Sequence, residues 1–211
     1  MSRSGTGSKV DRRAFLGLGA GVVGVALVPS VLRGRRRLHR SRVPVMGTVA
    51  ELVVAETDPG RAGTALRAAA VELQRVDALM TRFDPRSDVG RFNAASIGTR
   101  VRVAPETVEV VRIAQAWAEA TGGAFDPTLE RLSRIWDPTR VARPPAPESV
   151  DRARRGSGGW ASLETWSDGT DAWMYRAPGT ALDLGGIAKG WGIDCAADRL
   201  AGLGVGSALV N

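Results

Sequence analysis

A glycine-rich stretch near the end of the sequence combines side-chain types that suit a phosphate-bearing ligand. Asp183 precedes the pair Gly185 and Gly186, and Lys189 stands where a helix is expected to begin. Glycines let the backbone approach a ligand closely, and a helix start offers amide groups and partial positive charge to an anion. We therefore expect the amides of residues 186–189 to face an anion, with Lys189 adding a full charge. Close packing of a helix on a strand explains the glycine pair equally well, and spacing alone leaves both interpretations open.

The elements around this stretch can be predicted from periodicity. Helical spacing predicts a helix after Lys189 that ends at Gly204, with a core-facing row of Ile193, Ala196, Ala197, Leu200 and Leu203. Residues 160–184 predict two or three antiparallel strands, the last of which would deliver Asp183. Residues 207–211 begin a further strand. Cys195, the only cysteine, is expected to be a packing residue on the helix.

The middle of the sequence alternates helices with loops. Residues 45–54 predict a strand, and Thr57-Asp58-Pro59 begins a helix. Residues 81–93 read as a polar loop, and a second helix over 105–121 should end at Gly122-Gly123. A carboxylate, Asp126, then precedes a proline that can open another helix, and residues 148–154 predict a short one. The helix after Asp58 should bury one face, formed by Leu66, Ala69, Ala70, Leu73, Val76 and Met80.

Charge is distributed unevenly along the 211 residues, whose formal net charge is +7. Residues 1–42 hold ten basic residues against one acid, a net charge of +9, and the remaining 19 basic and 21 acidic residues give −2. The folded part therefore has no overall basic character, and nucleic acid is not expected as a partner.

The first 42 residues predict an export signal and a basic linker. Arg12-Arg13, then Phe15-Leu16, precede an uncharged run over residues 14–32 that resembles a twin-arginine signal. We expect an exported, extracytoplasmic protein; a permanent membrane anchor is the alternative, because the run nearly reaches the ~20 residues that span a bilayer. The run over residues 33–42, with the only histidine, His39, is expected to be a solvated linker or a patch that rests on anionic lipid. The folded domain is predicted to cover residues 43–211.

Four segments taken together resemble the FAD:protein FMN transferase family, the ApbE-type flavin transferases. They are Met46-Gly47-Thr48, the loop from Met80 to Asn93, Gly122 to Thr128, and Leu182 to Asp194 running on to Asn211. The resemblance implies a single α+β domain, with an antiparallel sheet and packed helices, that binds FAD and needs Mg²⁺. It also implies transfer of FMN from FAD to a threonine hydroxyl of an exported flavoprotein acceptor, with release of AMP.

The resemblance assigns roles to individual residues. Met46 would contact the flavin or adenine, Phe83 would stack on a ring, and Asp183 would hydrogen-bond FAD. Lys189 would face its phosphates, and the backbone carbonyl of Gly186 would be a Mg²⁺ ligand. The nucleotide pocket would be lined by Ala124, Phe125 and Asp126. Each assignment has a structural alternative: core packing for the methionine and the phenylalanines, and a turn or cap for Asp126.

The end of the sequence departs from the family pattern. Family members continue beyond the strand at Asn211 with a Gly-Gly-Asp turn, a histidine-containing segment and a stretch that supplies side-chain Mg²⁺ ligands. We therefore expect a C-terminal part to be missing, no evident general base, and catalytic residues that stay unknown. On this view the 211 residues bind FAD weakly and transfer little FMN.

Three other functions remain open. An exported FAD-binding module or an inactive fragment would bind FAD without transferring FMN, and an FAD pyrophosphatase would release free FMN and AMP. A dinucleotide-dependent oxidoreductase is least favoured, because no Gly-x-Gly-x-x-Gly follows the first strand.

Overall fold

Two three-stranded antiparallel sheets and several packed helices make up the residues that the computed structural model describes, 36–137 and 143–211. The first sheet has the order β1-β2-β6 and the second β3-β5-β4. The strands are β1 Arg37–Val45, β2 Thr48–Glu56, β3 Arg100–Arg102, β4 Glu164–Ser167, β5 Ala172–Tyr175 and β6 Ala208–Val210. The helices are α1 Pro59–Met80, α2 Asp88–Ala94, α3 Pro105–Ala120, α4 Glu130–Ile135, α5 Pro147–Arg155 and α6 Ala188–Gly202, with a 3₁₀ turn at Trp160–Ser162. The predicted α+β class is confirmed.

The long helices follow their sequence signals. Asp58 caps α1 by accepting a hydrogen bond from the Gly60 N–H at 2.8 Å, and Pro59 occupies the first turn. Helix α3 ends at Ala120 with Thr121 as its C-cap, after which Gly122 and Gly123 have positive φ angles of 59° and 83°. The predictions of these two helices, and of the short helix α5 and strand β6, are confirmed.

The prediction of a solvated linker is wrong from Arg37 onward, because these residues form β1. They pair antiparallel with β2, from Arg37 opposite Glu56 to Val45 opposite Thr48. Arg40 and Arg42 reach the Glu51 carboxylate at 3.5 and 3.7 Å, so the basic side chains lie along an ion-paired face of a strand. The folded part therefore begins before the predicted boundary at residue 43. The export signal and residues 33–35 lie outside the described residues.

Two further segments differ from the sequence-based prediction. Met46 and Gly47, predicted within a strand, form the tight turn between β1 and β2, with φ angles of 53° and 71°. The predicted loop over residues 81–93 contains α2, whose start is capped by the Ser87 hydroxyl accepting the Gly90 N–H at 2.8 Å. Short, capped elements of this kind carry too few periodic residues for a pattern to stand out.

The segment that carries Asp183 is irregular, not the end of a strand. The third strand beside β4 and β5 is β3, from residues 100–102. Residues 182 and 183 find other partners for their backbone: the Asn93 side chain exchanges two hydrogen bonds with Leu182, at 2.7 and 2.8 Å, and the Asp183 N–H donates to the Pro127 carbonyl at 2.8 Å. Hydrogen bonds to distant residues therefore hold this segment in place, whereas the sequence predicts pairing within a sheet.

Helix α6 packs on α1 through a row that shares Ala196 and Leu200 with the predicted one and differs in its other positions. Ala188, Gly192, Ala196 and Leu200 are buried, whereas Ile193 and Ala197 are exposed. The buried positions are spaced by four residues, so a narrow stripe of small residues faces α1. Cys195 is half-buried beside this stripe and packs against the core, as predicted.

Two apolar clusters form the core. One joins the C-terminal half of α1 to α2, α3, β5 and residues 182–188, and the other joins β1 and β2 to the N-terminal half of α1 and to α6. The Met46 side chain packs against both clusters. No helix within residues 36–137 and 143–211 is long and apolar enough to cross a bilayer.

Candidate functional site

A cleft of about 110 Å³ opens where the β1–β2 turn, the end of α1 and the start of α6 meet. Its apolar lining consists of Met46, Val76, Met80, Leu184 and Ala188. Phe83, Asp183 and Lys189 line the same cleft, so residues from widely separated segments come together as the sequence predicts for Met46, Phe83, Asp183 and Lys189. An apolar floor with a few polar groups at its edge is the usual construction of a small-molecule site.

Phe83 stands at the rim of this cleft with 58% of its surface exposed. Single exposed hydrophobic side chains are common, so it is the position of this ring at the cleft, and not its exposure, that makes it a candidate ligand contact. The Arg82 guanidinium lies over the ring, 4.3 Å from its centre. The cation–π contact fixes the orientation of Phe83 towards the cleft.

Arg82 is itself a buried anchor, with only 13% of its side chain exposed. Its nitrogens lie 3.4 Å from Asp183, 3.8 Å from Asp137 and 3.9 Å from Glu130. Asp137 and Glu130 are almost fully buried, and Asp183 retains 23% exposure on the cleft side. One arginine thus links two residues of the cleft lining, Asp183 and Phe83, to the buried carboxylates of Asp137 and Glu130.

Asp183 and Lys189 are also held by local hydrogen bonds. The Asp183 carboxylate accepts the Gly185 N–H at 2.9 Å, and the Lys189 ammonium donates to the Gly185 carbonyl at 3.2 Å. Lys189 is exposed, so its charge is available to a ligand. The predicted role of the backbone amides is wrong for Ile187 and Ala188, whose N–H groups both donate to the Leu184 carbonyl.

The hairpin tip is fixed by Asp77 on α1. The Asp77 carboxylate accepts the Met46 N–H at 2.9 Å, which holds the left-handed Met46 backbone in place. The sequence pattern does not single out Asp77 or Arg82. The sequence signals that could have identified them are weak. Asp77 is a carboxylate on the apolar face of the helix, four residues after Leu73, and Arg82 directly precedes Phe83.

The predicted residues Ala124, Phe125 and Asp126 lie apart from the lining of this cleft. Phe125 nevertheless touches the glycine turn, since a side-chain carbon added at Gly186 would lie 3.1 Å from its ring. Asp126 accepts the backbone N–H and the hydroxyl of Thr128, at 2.7 and 2.6 Å, which is the turn role left open by the sequence.

The described residues do not by themselves fit a magnesium site. Within residues 36–137 and 143–211, no three His, Cys, Asp or Glu side chains are grouped as metal ligands. Gly186 is exposed and offers a carbonyl oxygen only. Mg²⁺ prefers six oxygen ligands, including one or two carboxylates, so Gly186 as a ligand stays a prediction.

An aromatic ring, a carboxylate and an ammonium group thus lie around one cleft of an α+β domain. Residues 46–211 match the ApbE family. The chain belongs to this family.

Relatives and solved structures agree with this membership. The chain is 30% identical over 173 residues to an FAD:protein FMN transferase of Vibrio cholerae serotype O1, covering 80% of this chain and 50% of the relative. It is 25% identical over 121 residues to one from Chlamydia pneumoniae, covering 57% and 38%. The Pseudomonas stutzeri flavinyl transferase ApbE in its apo form superposes with a TM-score of 0.71 at 28% identity, over 84% of this chain and 59% of that one. For the flavin transferase ApbE from Vibrio cholerae the TM-score is 0.73 at 26% identity, over 83% and 57%. The chain spans about half the length of the Vibrio relative.

Proposed function

We propose that the protein is an FAD:protein FMN transferase, which transfers FMN from FAD to a threonine hydroxyl of an exported flavoprotein and releases AMP. The observation that carries the proposal is the cleft that Phe83 lines together with Asp183 and Lys189, which lie on a distant segment of the chain. Membership of the ApbE family and the names of the relatives support it.

The three side chains suit three parts of FAD. The Phe83 ring would stack on a flavin or adenine ring, with the apolar floor beneath, and Arg82 keeps it in that orientation. The Asp183 carboxylate would accept a hydrogen bond from a ring N–H, since it retains exposure on the cleft side. Lys189 would face the diphosphate from the first turn of α6, where the helix dipole adds partial positive charge.

The proposed reaction exchanges one phosphorus–oxygen bond for another. The threonine oxygen forms a bond to the flavin-side phosphorus while the anhydride bond breaks, and AMP leaves with the bridging oxygen. A positively charged group beside the phosphoryl oxygens stabilises the charge that develops on them, and Lys189 would take this role. The general base for the threonine proton is unassigned.

The proposal includes Mg²⁺ as an activator, which rests on the family resemblance and on the exposed Gly186 carbonyl. It also includes export of the protein and contact with the membrane surface through its N-terminal segment. The twin-arginine pattern and the net charge of +9 on residues 1–42 support this location.

Mass spectrometry of an acceptor protein tests the transfer. The protein is incubated with FAD, Mg²⁺ and a flavoprotein domain that carries the target threonine, and a Thr→Ala acceptor serves as control. We expect the acceptor to gain the mass of FMN and the Thr→Ala acceptor to stay unchanged. An unchanged acceptor with folded, FAD-bound protein would contradict the proposal, and free FMN with AMP would indicate a pyrophosphatase.

A further inference from the structure

A second cavity, of about 450 Å³, lies between α4, α5 and the segment after β5. Four arginines line it, Arg131, Arg134, Arg152 and Arg176, together with one acid, Glu130. Glu130 also faces Arg82, at 3.9 Å, so it stands between this cavity and the cleft described above. The arginine-lined cavity has no role in the proposed FMN transfer.

Arg176 is the most buried of these arginines, with only 4% of its surface exposed. Its guanidinium donates to the Thr180 hydroxyl at 2.9 Å and to the Ala177 carbonyl at 3.2 Å, which are both neutral acceptors. The buried Nε atom has no hydrogen-bond partner. Burial, and then the nearby Arg131 guanidinium, lower the pKa of Arg176. A buried cation without an anionic partner is costly, so the fold maintains an arrangement that an anion would stabilise.

The carboxylate in the cavity is already paired with one of the four arginines, Arg134. Glu130 accepts from Arg134 at 2.7 and 2.8 Å, a close ion pair. Arg131, Arg152 and Arg176 form no ion pair with a carboxylate in the part of the chain that the structure describes. Three guanidinium groups around one cavity therefore lack a close carboxylate partner, and Glu130 attracts Arg176 only from beyond ion-pair distance.

Local packing places Arg131 in this arrangement. It extends from α4 to the end of α5, where a side-chain carbon added at Gly156 would lie 2.5 Å from one of its terminal nitrogens. The glycine leaves room for the guanidinium beside Arg152 on α5. An anion bound beside Arg131 and Arg176 would relieve the repulsion between these two guanidinium groups.

We propose that this cavity binds a phosphate group, either as free phosphate or as the phosphate of a nucleotide monoester. Guanidinium groups recognise phosphate oxygens through paired, charge-assisted hydrogen bonds, and a doubly charged anion matches several arginines better than a single carboxylate does. The cavity volume falls in the range of small-molecule sites, about 300–1,000 Å³, so an organic phosphate can also enter.

Isothermal titration calorimetry with inorganic phosphate and with AMP, at constant ionic strength, tests the proposal. Arg131→Gln and Arg152→Gln remove one charge each from exposed side chains, and Arg155→Gln is the matched control on α5 outside the cavity. Lys189→Ala changes the lining of the first cleft only, so it distinguishes binding there from binding in the arginine-lined cavity. Circular dichroism of each variant confirms folding.

We expect saturable binding that weakens by at least about tenfold in Arg131→Gln and in Arg152→Gln, since each variant loses charge-assisted hydrogen bonds. Arg155→Gln and Lys189→Ala should bind as the wild-type protein does. Tighter binding of AMP than of phosphate would assign the cavity to a nucleotide. Equal affinities for the two ligands would assign it to free phosphate. The proposal is overturned if neither ligand gives a saturable isotherm, if Arg155→Gln weakens binding as much as Arg152→Gln, or if Lys189→Ala abolishes it.

Discussion

Gly192→Ala tests how the two core clusters fix the hairpin tip at the cleft. A methyl group at this position would lie 2.8 Å from the Met46 Cε atom and 3.4 Å from the Leu73 Cδ2 atom. Alanine in a helix interior is favoured over glycine by about 1 kcal/mol. Overpacking costs about 1–3 kcal/mol, and the lower end applies here because the flexible end of Met46 can move. We therefore expect the free energy of unfolding to change by less than about 1 kcal/mol.

A double-mutant cycle separates the two contributions. In a Met46→Ala background the close contact is gone, so Gly192→Ala should stabilise by about 1 kcal/mol, and the two substitutions should couple by about the same amount. Gly190→Ala is the matched control on α6, since no heavy atom lies within 4 Å of the added carbon; it should stabilise by about 1 kcal/mol in both backgrounds.

Urea denaturation of the four proteins of the cycle, followed by circular dichroism, measures the coupling. If the effects of Gly192→Ala and Met46→Ala add within about 0.5 kcal/mol, the packing of Met46 against Gly192 is refuted. Gly192→Ala should also weaken FAD binding, because the added methyl group displaces the Met46 side chain, which lines the cleft.

Three further substitutions or reactions test other parts of the structure. Gly90→Ala should destabilise by about 3 kcal/mol in urea denaturation, because the added carbon would lie 2.0 Å from the Asp84 carbonyl oxygen; wild-type stability would contradict this packing. Arg82→Met should lower the free energy of unfolding by about 2 kcal/mol. This is less than the cost of breaking a closely hydrogen-bonded buried pair, because Asp183 is partly exposed. Arg82→Lys should restore part of the lost stability. An Arg82→Met variant as stable as the wild-type protein would show that the contact of Arg82 with Asp183 does not stabilise the fold. Burial raises the pKa of the Cys195 thiol, so less thiolate is present at pH 8 and iodoacetamide should react more slowly with the folded than with the urea-unfolded protein. Equal rates would refute the effect of burial.

Regular, periodic segments could be predicted from the sequence, and segments held by tertiary contacts could not. Helix α1 carries both a cap at Asp58 and a long apolar face, and its bounds agree closely with the prediction. Strand β1 was obscured by its arginines, because the pairing with β2 and the ion pairs with Glu51 are not visible in a local pattern.

The same distinction applies to the cleft. Met46, Phe83, Asp183 and Lys189 were predicted through a family resemblance, and the structure brings them together. Their supports are long-range contacts that no spacing rule contains, such as the Asn93 amide on Leu182. Asn93 is separated from Leu182 by 89 residues, so only the fold reveals this pairing.

We propose that the Met46 turn, the Phe83 loop and the segment from Asp183 to Lys189 form one FAD site. Titration of the 211-residue protein with FAD, followed by flavin fluorescence, tests it directly. We expect saturable but weak binding that falls by about three- to tenfold in Phe83→Ala, in line with the loss of one aromatic stacking contact, and that falls also in Lys189→Ala. Arg155→Ala, an exposed substitution away from the cleft, should leave binding unchanged. Absence of binding by folded protein, or equal binding by the wild-type protein and the Phe83→Ala and Lys189→Ala variants, would contradict the claim.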